Sequence, residues 1–159
     1  MTGNPFQDPR VIRKILGRMR RVAMVGLSGN SIRPSYFVGY YLKRMGFEVI
    51  PVNPRYEEIL DLRCYPSLSA IPVPPEVVDV FRKPEEISAV VDEAIAVGAK
   101  ALWLQFGVIN VAEAQRARDA GIDVVMDRCM KIEHGRWRGS LQWAGIRTGV
   151  ITARKEPLI

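Results

Sequence analysis

The sequence predicts a doubly wound α/β fold, a five-stranded parallel sheet in the order 3-2-1-4-5 with helices on both faces. Three observations predict it. Five short apolar runs, Val22–Gly26, Val49–Val52, Val77–Phe81, Ala101–Leu104 and Ile122–Met126, are too short for helices and mostly apolar at successive positions, the pattern of strands covered on both faces. Stretches with helical start and stop signals lie between most of them. The runs end near residues 26, 52, 81, 104 and 126, a spacing of 22 to 29 residues that suits a βα unit, and right-handed crossovers then give a parallel sheet.

In chain order, a helix over Pro9–Met19 leads into the first strand. Ser35 is the N-cap candidate for a helix over Tyr36–Met45. Pro51 sits awkwardly for an inner strand, so the second run is expected to fray at its C-terminal end. From Pro54 to Pro75 the chain also carries Pro66, Pro72 and Pro74, with weak helical hints at Ser67–Ala70, so this crossover is read as irregular. Pro84-Glu85-Glu86 makes a good first helical turn, and Asn110 with Glu113 resembles a capping box. Gly46, Gly98 and Gly121 stand where helices must stop, and 135–159 has no clear assignment.

With 159 residues, 48% hydrophobic, the chain can bury one sizeable core, so we read 1–159 as a single domain with 135–159 as a basic C-terminal extension. Cys64 and Cys129 are too few for a disulfide framework, and a reduced, cytoplasmic setting follows. No apolar run approaches the roughly 18 residues of a membrane span. The net charge of +6 is concentrated at the two ends and suits an anionic partner: nucleic acid, a membrane surface or a phosphorylated small molecule. Trp137 and Trp143 among arginines raise a single-strand nucleic-acid reading, but no recognised module accompanies them. A tail folded over the sheet, or packed on a protein partner or second copy, is favoured instead.

Open parallel sheets bind ligands at the carboxyl ends of the strands where the order reverses, here expected after the first and fourth strands. The first of these loops reads Gly26-Leu27-Ser28-Gly29-Asn30-Ser31-Ile32-Arg33-Pro34-Ser35, small residues before a helix start, which suits a phosphate; a plain small-residue turn is the alternative. The second and third glycines of the dinucleotide fingerprint fall on Ser28 and Ser31, which weakens NAD, and the absence of G-K-[ST] argues against a P-loop. At the end of the second strand, Asn53-Pro54-Arg55 replaces the usual acid. An acid repels a phosphate on the ribose whereas Asn53 with Arg55 accepts one, so NADP or coenzyme A fits better than NAD, with Arg55 as a plain surface charge still open.

Val25-Gly26-Leu27-Ser28 with Arg33-Pro34-Ser35, Pro51-Val52-Asn53-Pro54, Val80-Phe81-Arg82, Trp103-Leu104-Gln105, and Asp127-Arg128-Cys129 with Glu133-His134 together resemble the stand-alone CoA-binding proteins. Their Rossmann-like domain is similar to the N-terminal CoA-binding domain of the succinyl-CoA synthetase alpha subunit. The resemblance covers about residues 8–136. It implies coenzyme A or an acyl-CoA across the switch point. Ser28 to Ser31 and the amides at the Ser35 helix start would hold the pyrophosphate, and Asn53, Pro54 and Arg55 would lie by the ribose and its phosphate. Phe81 and Arg82 would border the adenine, and Gln105 and Gly107 would flank the pantetheine.

The synthetase's phosphohistidine domain and its nucleotide-grasping partner have no counterpart in these 159 residues, so the expected role leans away from catalysis, towards a carrier, sensor or partner of acyl-CoA metabolism. The alternative is an NADP-dependent or acyl-CoA-processing enzyme using Cys129 or His134. Cys129 follows the last strand beside Arg128 and a helix start, which favours a thiolate, although free cysteines usually pack. His134 is expected to be structural or solvent-facing, and Trp103 and Phe106 are read as core rather than as adenine-stacking rings.

Overall fold

Strands without polar alternation need cover on both sides, and the computed structural model, which describes residues 4–147 and their side chains to 139, provides it. The five runs form one parallel sheet from β1 (Arg21–Val25), β2 (Glu48–Val52), β5 (Val77–Val80), β6 (Ala101–Leu104) and β7 (Asp123–Met126). Helices α1 (Pro9–Arg18), α2 (Pro34–Arg44) and α5 (Met130–Arg147) cover one face, where Leu16, Leu42 and Met130 pack with Met24 and Trp103. Helices α3 (Ile87–Ala96) and α4 (Val111–Asp119) cover the other, where Val91 and Ala117 pack with Val78 and Leu102. This is the expected doubly wound, Rossmann-like arrangement. Among the described residues no helix is long and apolar enough to cross a membrane.

The strand order differs from the expected 3-2-1-4-5. It is β2-β1-β5-β6-β7, so the third run lies between the first and the fourth, with Val22 opposite Val77 and Val77 opposite Ala101. Pro51 explains the difference. It lies within β2 rather than at a frayed end, and β2 is an edge strand. Glu48 N donates to Arg20 O and Val52 O accepts from Gly26 N, so even-numbered residues of β2 face β1 and the missing N–H of Pro51 points outward. There the Pro51 carbonyl accepts from Tyr65 N, and Asn53 N donates to Tyr65 O. The irregular connection therefore occupies the flank that the predicted order gave to the third strand.

That connection also holds a small antiparallel hairpin, β3 (Glu58–Ile59) with β4 (Leu62–Arg63). Leu60 and Asp61 have φ of 57° and 60°, the conformation a two-residue hairpin turn requires. The helical hint at Ser67–Ala70 becomes a 3₁₀ turn at Leu68–Ala70, whose Leu68 is buried beneath α3. Other signals hold with adjustments. Asp8 caps α1 through Arg10 N, and Asn110 caps α4 through Glu113 N, but the Glu113 carboxylate turns to Arg116 rather than back to the cap. Arg33, not Ser35, is the N-cap of α2, because Pro34 takes the first helical position. Residues 135–147 continue α5, and 148–159 lie outside the described residues.

Candidate functional site

Chain leaving β1 enters α2 on one face, whereas chain leaving β5 enters α3 on the other, so the two loops diverge over adjacent strands. This is the switch point, after the first and third runs rather than the first and fourth. A cavity of about 850 Å³ lies there, lined by loop residues following β1, β5, β6 and β7, and falls within the size range of small-molecule sites.

Gly26 lines the cavity where β1 and β5 come closest: its φ is 88°, and a Cβ would stand 2.5 Å from Phe81 O. The loop beyond it is braced from within. Ser28 N donates to Ser35 Oγ at 3.0 Å, Asn30 N to Ser28 Oγ at 3.0 Å, Ile32 N to Asn30 Oδ1 at 3.2 Å and Arg33 N to Asn30 O at 3.0 Å. The N–H groups of Gly29 and Ser31 have no protein partner among the described residues. Leu27 is buried beneath the loop, and its carbonyl accepts from Asn53 Nδ2 at 3.1 Å. Asn53, itself buried, also accepts from Arg55 N, so it ties the end of β2 to the loop rather than facing the cavity. Pro54 and Arg55 are exposed and do not line the cavity, although Tyr56 beside them lies against Gly29.

Arg33, Arg82 and Lys83 line the cavity, and among the described residues none has a carboxylate within 4 Å of its charged group, although Lys83 N donates to Glu86 Oε2 at 3.2 Å. Some cations elsewhere are paired, such as Lys14 with Asp123 at 2.8 Å and Arg116 with Asp92 at 2.7 Å, and others, such as Arg13, Arg18 and Arg44, have no carboxylate partner among the described residues. What sets Arg33, Arg82 and Lys83 apart is that they line one concave site. A cluster of uncompensated positive charge in a concave site concentrates anions there.

The part of the cavity beyond β6 and β7 is different in character. Gln105 accepts from Met130 N at 3.0 Å and so fixes the start of α5, and Gly107 N donates to Asp127 Oδ1 at 2.8 Å. Around them stand Phe106, Val108 and Ile132 with the half-buried Cys129. Of the expected site residues, Gly26, Ser28, Arg33, Ser35, Phe81, Arg82, Gln105 and Gly107 share the cavity, whereas Leu27, Gly29, Asn30, Ser31, Asn53, Pro54 and Arg55 lie outside its lining. Lys83, Val38, Val108 and Ile132 were missed, and Phe106 is exposed rather than core. Its place just past a strand end was the available signal; Val38 and Ile132 gave none, because they reach the site from helices.

The remaining candidates sort clearly. Arg128 is drawn to Gln7 at 3.0 Å and Glu133 at 3.7 Å, away from the neighbouring thiol. His134 lies outside the cavity, 4% exposed, with Nδ1 2.8 Å from the Tyr41 hydroxyl and its ring among Phe47 and Trp137. Burial first, then Arg138 and Arg20, push its pKa down to about 4. Its role is structural. Trp137 packs inward on it, so it forms no free stacking surface, and the Trp143 side chain lies outside the described residues. Cys64 is buried and bonded to Asn53 O, and burial pushes its thiol pKa up.

Asp79, two residues before Phe81, is fully buried between Met24 and Trp103 on the neighbouring strands, and among the described residues neither carboxyl oxygen has a hydrogen-bond partner. Burial drives its pKa well up. The folded state therefore retains a proton that the unfolded chain releases above about pH 4, and the penalty grows as pH rises. Asp79→Val is expected to stabilise the protein by about 1–3 kcal/mol at pH 7.5 and by less at pH 4.5. Urea denaturation at both pH values measures this, and no gain at pH 7.5 would show that the site tolerates the acid without cost.

Residues 20–135, which include the whole five-stranded sheet and every cavity-lining residue, match a family model described as a CoA binding domain. The chain belongs to this family. As a CoA binding domain it is 37% identical over 123 residues to the uncharacterized protein YneT of Bacillus subtilis, covering 77% of this chain and 91% of that one. The structure of a hypothetical protein from Pyrococcus horikoshii superimposes with a TM-score of 0.82 at 40% identity, covering 87% of this chain and 99% of that one. A shorter stretch of 55 residues is 40% identical to the ADP-forming acetate–CoA ligase II of Archaeoglobus fulgidus, a third of this chain but only 8% of the ligase.

Proposed function

We propose that this CoA binding domain binds coenzyme A across the β1–β5 switch point. The observation that carries the reading is the convergence of Arg33, Arg82 and Lys83, whose charged groups have no ion pair among the described residues, on one cavity. The pyrophosphate lies on the free amides of Gly29 and Ser31, with Ser28, Asn30 and the start of α2 at Ser35 shaping that cradle. Arg55, on the loop that touches Gly29 through Tyr56, reaches the ribose phosphate from outside the cavity with Asn53 and Pro54 as its support. Phe81 and Arg82 border the adenine, and Gln105 and Gly107 the pantetheine.

The role is that of a carrier, sensor or partner of acyl-CoA metabolism rather than of a catalyst. An acyl-transfer reading has Cys129 in its favour, since the thiol lines the cavity. His134, the sole histidine, is held by Tyr41 elsewhere and offers no base. The family match supports coenzyme A and gives NADP no support.

Ligands that bind only the folded state raise its melting temperature, so a thermal-shift series with coenzyme A, dephospho-coenzyme A, NADP and NAD ranks them directly. Coenzyme A is expected to give the largest shift. Arg82→Ala and Lys83→Ala should each weaken it about tenfold, the loss of one charge-assisted contact. Arg55→Ala should remove the difference between coenzyme A and its dephospho form. A shift with NADP and none with millimolar coenzyme A would overturn the proposal.

A further inference from the structure

Exposed large apolar side chains scattered singly on a surface need no explanation, but a group of them on one concave wall does. Phe106 is 76% and Ile132 53% exposed, and both line the cavity beside Val108 and Phe81. Ile109, in the same loop, and Val111, the first residue of α4, are also exposed. Phe81 borders the adenine in the reading above, whereas Phe106, Val108 and Ile132 are not needed by a nucleotide or a phosphate.

The sheet order separates them from the charges. Arg33 follows β1, and Arg82 and Lys83 follow β5, whereas Phe106 and Val108 follow β6 and Ile132 stands on α5 after β7. From β1 to β7 is three strand spacings, about 14 Å. The cavity therefore runs from a cationic end to an apolar end along the carboxyl edge of the sheet. At the apolar end the polar side chains in the lining are Gln105, whose oxygen is committed to Met130 N, and the weakly polar Cys129. The charge nearest this end is the Asp127 carboxylate held by Gly107 N, and no cation following β6 or β7 lines the cavity, so nothing in the lining there would pair with an acidic group.

We propose that the ligand is an acyl-CoA with an apolar acyl chain, bound in preference to free coenzyme A, with the chain laid against Phe106, Val108 and Ile132. This rests on the coenzyme A reading above and deepens it. A free thiol leaves that wall in water, whereas an acyl chain covers it. Each methylene buried is worth about a fourfold gain in affinity.

Isothermal titration of the full chain with coenzyme A and its acetyl, butyryl, hexanoyl and succinyl thioesters tests this. Affinity should climb from acetyl to hexanoyl, and succinyl-CoA, whose chain ends in a carboxylate, should gain nothing over coenzyme A. Phe106→Ser and Ile132→Ser replace exposed side chains and spare the core, and each should pull the ratio of hexanoyl-CoA to coenzyme A affinity towards one. A flat series, a gain for succinyl-CoA equal to that for butyryl-CoA, or a ratio unchanged in both variants would overturn the proposal. Failure of every thioester and of coenzyme A itself would instead reject the underlying reading.

Discussion

Replacing Gly26 by alanine is expected to cost about 3 kcal/mol of folding stability and to abolish ligand binding. Two penalties combine there. The φ of 88° lies where an L side chain is strained, and the added Cβ would fall 2.5 Å from Phe81 O and 3.1 Å from Phe81 C. These are backbone atoms, and they cannot swing aside. Gly26 N donates to Val52 O at 2.9 Å and Phe81 N donates to Val25 O at 2.8 Å, so relief requires breaking the sheet at the point where the two site loops diverge. Gly46 provides the control. Its φ is 90°, but a Cβ there meets nothing within 4 Å, so Gly46→Ala should cost only about 1 kcal/mol. Urea denaturation of both variants, with a coenzyme A thermal shift on each, separates strain from collision. Equal losses at the two positions would mean that the close approach of β1 and β5 contributes nothing.

The fold class was legible because it depends on local signals: runs too apolar to be one-sided strands, and glycines and prolines between them. The strand order was not legible in the same way, since it is set by which run pairs with which across long stretches of chain. Pro51 was nevertheless the clue. An inner strand must donate on both sides, and a proline within β2 satisfies that requirement only at an edge. Treating the residue as a frayed end, rather than as a statement about position in the sheet, moved the third run to the wrong place. The switch point moved with it, from the fourth run to the third.

The site was legible where the chain reaches it directly from a strand. Gly26, Ser28, Arg82, Gln105 and Gly107 lie within a few residues of a strand end, and the topology brings all strand ends to one edge. Asn53 shows the limit of such reasoning. Its position matches that of a ribose-binding residue, but its amide spans 26 residues of sequence to reach Leu27 O, a contact invisible in any local pattern. Phe106 shows another limit, since an aromatic after a buried strand looks like core until the surrounding packing leaves it 76% exposed.

Acid should loosen the apolar end of the site through His134. Its folded pKa, pushed down to about 4, lies below the roughly 6.5 of an unfolded histidine, so between these values the unfolded chain binds the proton and the native chain does not. Stability present above pH 6.5 is therefore lost as pH falls, by about 2 kcal/mol between pH 7.5 and pH 5. Asp8, Glu76 and Glu113, with lowered pKa values, lose their stabilisation only around and below pH 4, whereas Asp79 acts in the same window as His134 with the opposite sign, its penalty easing as pH falls. His134→Gln should be less stable than the native chain at pH 7.5, because it gives up the ring contacts with Tyr41, Phe47 and Trp137, and this deficit should shrink by about 2 kcal/mol at pH 5, since Asp79 acts equally in both chains. Denaturation curves of both chains at the two pH values measure this, and a stability difference between them that does not change from pH 7.5 to pH 5 would sink the assignment. The effect reaches the ligand because His134 lies one turn beyond Met130 on α5 and two residues beyond Ile132. The native ring itself takes up a proton only around pH 4; loss of its packing against α2 then frees the helix that forms the β7 wall of the cavity, so acyl-CoA affinity should fall there, below the window in which stability begins to fall.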